Sequence, residues 1–116
     1  MTTKKREVRV VITGMGAVTP LGLGADVFFK NLVAGKSGIR RITQFDATGF
    51  DCQIAGEIPE FDPTLYIDAK EVRRMSRNAQ IAVAAAKFAA ADAGLETPFT
   101  DQSERVGVLV GTAVVG

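Results

Sequence analysis

The chain predicts an α/β fold assembled from parallel strand–helix–strand units, and three observations predict it. Residues 8–12 (Val8-Arg9-Val10-Val11-Ile12) form a short, β-branched run with apolar character on both faces. Residues 105–110 form a second such run. Strands buried on both faces belong to a parallel sheet covered by helices. Between the two runs lies one long alanine-rich helical pattern, and strand–helix–strand of that length implies a right-handed crossover.

The elements follow in order. After the first strand, Gly14, Gly16 and Gly22 punctuate a turn, where glycine permits close backbone approach or positive φ, and Pro20 fixes the exit. Residues 26–34 read as a short helix, with Val27, Phe28, Leu32 and Val33 grouped toward a core and Gly35 as its stop. Residues 40–67 carry glycines, prolines and isolated apolar residues without a sustained period. That stretch reads as a surface excursion with a short strand at 53–57. The long helix opens on Asp68 as N-cap with Glu71 completing a capping box, and Gly94 ends it. Val72, Met75, Ala79, Ala82, Ala86, Ala89 and Ala93 step by three and four between them, a stripe small enough for close approach by a neighbour.

Composition bounds the function classes. The 116 residues carry a net charge of +1, which implies no general attraction to nucleic acid or to a membrane. Cys52 is the single cysteine, so an intrachain disulfide is impossible and a cytoplasmic location is the simple expectation. Basic Lys4-Lys5-Arg6 reads as a solvated tail, because the apolar run after it is too short for a signal peptide or a span. Two strands with apolar faces call for more sheet than the chain provides, so 1–116 reads as the amino-terminal piece of a larger domain.

Several motifs invite chemistry and do not support it. Gly14-Met15-Gly16-Ala17-Val18-Thr19 lacks the third glycine of a dinucleotide fingerprint, since Thr19 holds its place. Gly35-Lys36-Ser37 ends like a phosphate loop but follows a helix, and Lys30 stands where the earlier glycine belongs. Cys52 has no histidine anywhere in the chain to activate it and reads as an inert thiol. A charge cluster is more promising. Lys70, Arg73, Arg74 and Arg77 share one side of the long helix's first turns. A solvated face is the ordinary fate of such a run. Positive charge at a helix N-terminus opposes the macrodipole, however, so a mild cost is borne there that a partner would offset.

A resemblance sharpens these readings. The string Val8-Arg9-Val10-Val11-Ile12-Thr13-Gly14-Met15-Gly16-Ala17-Val18-Thr19-Pro20-Leu21-Gly22 resembles the amino terminus of the β-ketoacyl-acyl-carrier-protein synthases. Phe29 to Ile39, Phe45-Asp46, Ile54-Ala55-Gly56-Glu57-Ile58, Lys70 to Arg77 and Val106 to Gly116 resemble successive segments of the same family. Their order and spacing make the match specific, and the type II elongation synthases of fatty acid synthesis look nearest, with polyketide ketosynthases close by.

The resemblance implies a thiolase-like layered α/β fold, a homodimer, and decarboxylative condensation of malonyl-carrier protein with an acyl thioester. It implies no metal and no organic cofactor, since the acyl chain arrives on the phosphopantetheine arm of acyl carrier protein. Lys70, Arg73 and Arg74 fall on family positions that dock the carrier, and Arg77 extends that set. Val114 falls on an apolar position lining the acyl-chain pocket. The family's nucleophilic cysteine and two histidines are expected beyond Gly116, so no catalytic residue is assigned in this chain. A polyketide ketosynthase and a noncatalytic scaffold or interaction fragment are the alternatives.

Overall fold

The computed structural model describes residues 8–100 and 103–113. The chain opens into a hairpin in which β1 (Val18–Thr19) pairs antiparallel with β2 (Gly22–Leu23), Val18 opposite Leu23 and Thr19 opposite Gly22. Helix α1 (Ala25–Val33) follows, entered through Gly24 at φ 86° and ended by Gly35 at φ 68°. These are left-handed backbone positions that glycine adopts without strain. Asn31 Nδ2 donates to the Leu21 carbonyl at 2.6 Å and ties the hairpin tip to the helix. A second antiparallel pair joins β3 (Arg40–Arg41) to β4 (Ile54–Ala55). A 3-10 turn at Pro63–Leu65, capped by Asp62, leads to the one-turn helix α2 (Ala69–Val72) and then to α3 (Arg77–Asp92). A last 3-10 turn spans Ser103–Arg105.

The segment leading into the hairpin packs tightly on α3. A Cβ at Gly16 would overlap the Ala85 carbonyl oxygen and lie 2.7 Å from Ala89 N; one at Gly14 would overlap the Ala89 carbonyl and lie 2.6 Å from Ala93 N. Met15 N donates to Asp92 Oδ2 at 2.8 Å. Glycine on one side and alanine on the other let two backbones meet where larger side chains would hold them apart. Pro20 is seated in the same way, between Gly38 and Gly56. The core runs beneath this contact. Ala84 is wholly buried, and Phe61, Tyr66 and Phe88 form an aromatic row with centroids 6.0 and 5.0 Å apart.

Five expectations are corrected. Residues 8–12 and 106–110 form no ladder among the described residues; Val10 and Leu109 are 90% and 100% exposed. A strand exists only through its partners' N–H and C=O groups, and the described residues supply none to either run. The pairs that do form are antiparallel, so no parallel crossover is closed here. The long helix is two helices, because Ser76 accepts from Ala79 N at 3.4 Å and starts α3 afresh. Gln80 Nε2 meanwhile donates to the carbonyl of Val72, the last residue of α2, and to that of Met75 in the link to α3. The covered face of α3 runs through Ile81, Ala84, Ala85, Phe88 and Ala89, while Ala86 of the expected stripe is exposed. In α1, Val27, Leu32 and Val33 are likewise exposed, and only Phe28 of the expected inward group is partly covered.

Candidate functional site

The basic cluster sits on the corner between α2 and α3. Asp68 caps α2 by accepting from Lys70 N at 2.8 Å. Lys70 lies inside that turn, Arg73 is its C-cap, and Arg74 follows with its backbone N–H on the Glu71 carbonyl. The side chains of this turn project at spacings of three and four and share one side. Lys70, Arg73 and Arg74 are all exposed. Arg74 reaches Glu71 at 3.9 Å, but the pair is open to water on both sides and binds neither charge firmly. The corner therefore presents three cations against two acids, Glu71 and Asp68, the latter engaged in capping α2.

The helix break changes the electrostatic argument for this cluster. Arg73 and Arg74 stand at the C-terminal end of α2, where carbonyls favour positive charge. The opposing dipole acts on Arg77, the first residue of α3. Arg77 offsets that cost with its own contacts. Nη2 donates to the Ile58 carbonyl at 3.1 Å, Nη1 and Nη2 both donate to the Phe61 carbonyl at 3.3 Å, and Cζ lies 4.6 Å from the Phe61 ring centroid. The structure thus brings Lys70, Arg73 and Arg74 together and turns the Arg77 guanidinium onto the 58–61 turn.

Glu57 is the functional-looking carboxylate that the sequence reading missed. It is buried, and it accepts from Thr43 Oγ1 at 2.7 Å, from Thr43 N and from Gln44 N. The Thr43 hydroxyl chiefly, then the two backbone donors and the charge of Arg40, hold its carboxyl below the usual 4.5 against the opposing effect of burial. A carboxylate saturated by local donors is a brace for the 43–44 loop rather than an acid–base group. Asp46 and Asp62 are lowered by the same device, each accepting from a threonine two residues on. No sequence period marks such a brace, because its partners lie in an irregular stretch.

The remaining candidates are placed as follows. Cys52 is exposed, with Sγ donating to the Ile54 carbonyl at 3.4 Å. Val114 lies outside the described residues. Among the described residues no group of three or more His, Cys, Asp or Glu side chains could hold a metal ion. No helix among them is long and apolar enough to cross a membrane. A concavity of about 270 Å³ beside the first hairpin is lined by Thr19, Asn31, Lys36 and Arg40 among others, open to solvent on one side.

Comparison with known proteins places this arrangement in context. Residues 7–115 match the family described as "Beta-ketoacyl synthase, N-terminal domain". The chain is 45% identical over 108 residues to the 3-oxoacyl-[acyl-carrier-protein] synthase 2 of Coxiella burnetii, covering 93% of this chain and 26% of that protein. It is 42% identical over 108 residues to the synthase 2 of Synechocystis, with the same coverage. Among solved structures it resembles the ishigamide ketosynthase/chain length factor, with a TM-score of 0.68 and 43% identity over 74% of this chain and 21% of that one. The chain spans about a quarter of the length of the curated relatives it matches.

Proposed function

The chain belongs to the β-ketoacyl synthase family, and from that premise we propose that it is the amino-terminal portion of a 3-oxoacyl-[acyl-carrier-protein] synthase of fatty acid synthesis. In this reading it contributes scaffold, part of the acyl pocket and the carrier-docking corner. The identity to two synthases of that name supports the assignment. The observation that carries the docking role is the exposed Lys70–Arg73–Arg74 corner at the α2–α3 break. Acyl carrier protein is the partner, and clustered rim cations suit an acidic one by steering encounter and fixing orientation. Val114 is proposed as a wall of the acyl pocket, and the complete protein as a homodimer.

The reaction divides into two transfers. A cysteine thiolate attacks the carrier-bound acyl thioester, forms a new acyl–sulfur bond and releases the carrier thiol. Malonyl-carrier protein then loses CO2, and its carbanion attacks the acyl carbonyl and expels the cysteine thiolate. The product is a β-ketoacyl thioester two carbons longer. Backbone donors stabilise each oxyanion. No catalytic residue is assigned among the 116 residues, in which Cys52 is the single cysteine and histidine is absent. No cofactor is required, because phosphopantetheine on the carrier holds the substrate.

A second reading, a ketosynthase of polyketide assembly, is favoured by the similarity to the ishigamide ketosynthase/chain length factor. Incubating the complete synthase with acyl- and malonyl-carrier protein tests both. Saturated acyl primers extended once by malonyl-carrier protein support the fatty acid reading. Activity confined to β-ketoacyl primers supports the second, and no condensation with either primer class contradicts both.

A further inference from the structure

We propose that Arg77 is a positioning residue for the basic corner rather than a member of it. Its guanidinium fork clamps the 58–61 turn to the start of α3 and thereby sets where Lys70, Arg73 and Arg74 are presented. The inference rests on the docking reading above. Three observations carry it. First, both terminal nitrogens are committed: Nη2 to the Ile58 and Phe61 carbonyls and Nη1 to Phe61. Second, the guanidinium plane is also occupied, with Cζ 4.6 Å from the centroid of Phe61, a ring that is 4% exposed and stacks on Tyr66. Third, the clamped turn is closed by its own Phe61 N–H to Ile58 carbonyl bond at 3.4 Å, and the chain running from it to α2 is held through Tyr66, whose carbonyl accepts from Lys87 Nζ of α3.

The corner is therefore suspended between two fixed points. On one side Gln80 of α3 takes the Val72 carbonyl that ends α2 and the Met75 carbonyl of the link beyond it. On the other, Arg77 and Lys87 of the same helix hold the segment that leads into α2. Release of the Arg77 clamp frees the 58–61 turn, and α2 loses its fixed register on α3. A docking cation acts through charge, which lysine preserves. A clamp acts through a planar fork with parallel donors and a stacking face, which lysine does not reproduce.

That difference is the test. Arg77→Lys and Arg77→Met are made in the complete synthase beside the double variant Arg73→Glu/Arg74→Glu. Each is assayed with acyl-carrier protein and with a small acyl-pantetheine thioester, and amide exchange is followed over residues 58–61 and 69–75. Both Arg77 variants should raise KM for the carrier substrate on the order of tenfold with kcat unchanged. They should leave the small thioester untouched and speed exchange at Phe61. Arg77→Lys behaving as wild type while Arg77→Met loses carrier affinity would show that charge alone acts, and would overturn the proposal. Unaltered exchange at Phe61, or equal loss with both substrates, overturns it too. If the double variant leaves carrier KM unchanged, the docking reading itself fails; if the double variant raises it and neither Arg77 variant does, only the positioning role falls.

Discussion

Glu57 shows how a single side chain can organise an irregular segment. Its two oxygens take three donors from Thr43 and Gln44, and the hydroxyl of Thr43 is the chief cause of its lowered pKa. A folded-state value below the unfolded one means that the ionised form is the stabilised form. The contribution is therefore complete above the ordinary value of 4.5 and is lost as pH falls through the lower folded value. The amides of Thr43 and Gln44 should be protected from exchange near neutral pH and lose that protection only below the ordinary carboxylate range. Glu57→Gln, with one acceptor oxygen in place of two, should show weaker protection that no longer varies with pH. Equal protection in the variant would mean that the loop is held by something other than the carboxylate. At this scale the sequence displays residue types but not commitments: Arg77 reads as one more cation beside Arg73 and Arg74 until the carbonyls of Ile58 and Phe61 are seen to occupy it.

Elements were legible where their signals are local. The span of α1 differs by one residue at each end from the helix read at 26–34, and Gly35 and Gly94 stop helices as glycines at positive φ do. The short strand read at 53–57 is present as Ile54–Ala55, while its partner Arg40–Arg41 carried no alternating pattern to announce it. The break at Ser76 leaves no mark on the apolar spacing, because Met75 before it and Ala79 after it stand four residues apart. A serine cap competes with helix continuation through one hydrogen bond, which periodicity does not register. The glycines of the first turn were read as places of close approach, and α3 makes that approach. Gly16→Ala would drive a methyl group into the Ala85 carbonyl and within 2.8 Å of Phe88 Cβ. Helix backbone on the far side cannot yield, so the variant should be destabilised by about 1–3 kcal/mol or more, as overpacked sites are. Denaturant unfolding of the complete protein measures this, and an unchanged midpoint would mean that α3 sits farther from Gly16 than the structure shows.

At the scale of the whole molecule, the radius of gyration is 18.6 Å. A compact chain of this length would have about 13 Å. The excess accompanies uncovered apolar runs: Val8, Val10, Val11 and Ile12 at one end, Val108, Leu109 and Val110 at the other. Both runs read as core strands in the sequence, and both lack partners among the described residues. Exposed apolar runs of this kind associate. The 116-residue chain on its own should be oligomeric or loosely folded by light scattering and thermal unfolding, and a monodisperse monomer with a sharp cooperative transition would contradict that. The central claim, that Lys70, Arg73 and Arg74 receive an acidic carrier protein, is met most directly by comparing carrier-bound with carrier-free substrate. Reversing Arg73 and Arg74 to Glu in the complete synthase should raise KM for acyl-carrier protein by about tenfold or more, and added salt should weaken wild-type binding because exposed charges are screened beyond about 8–10 Å. An acyl-pantetheine thioester should react equally with both enzymes. Equal loss of activity on the two substrates, or none on either, would contradict the claim.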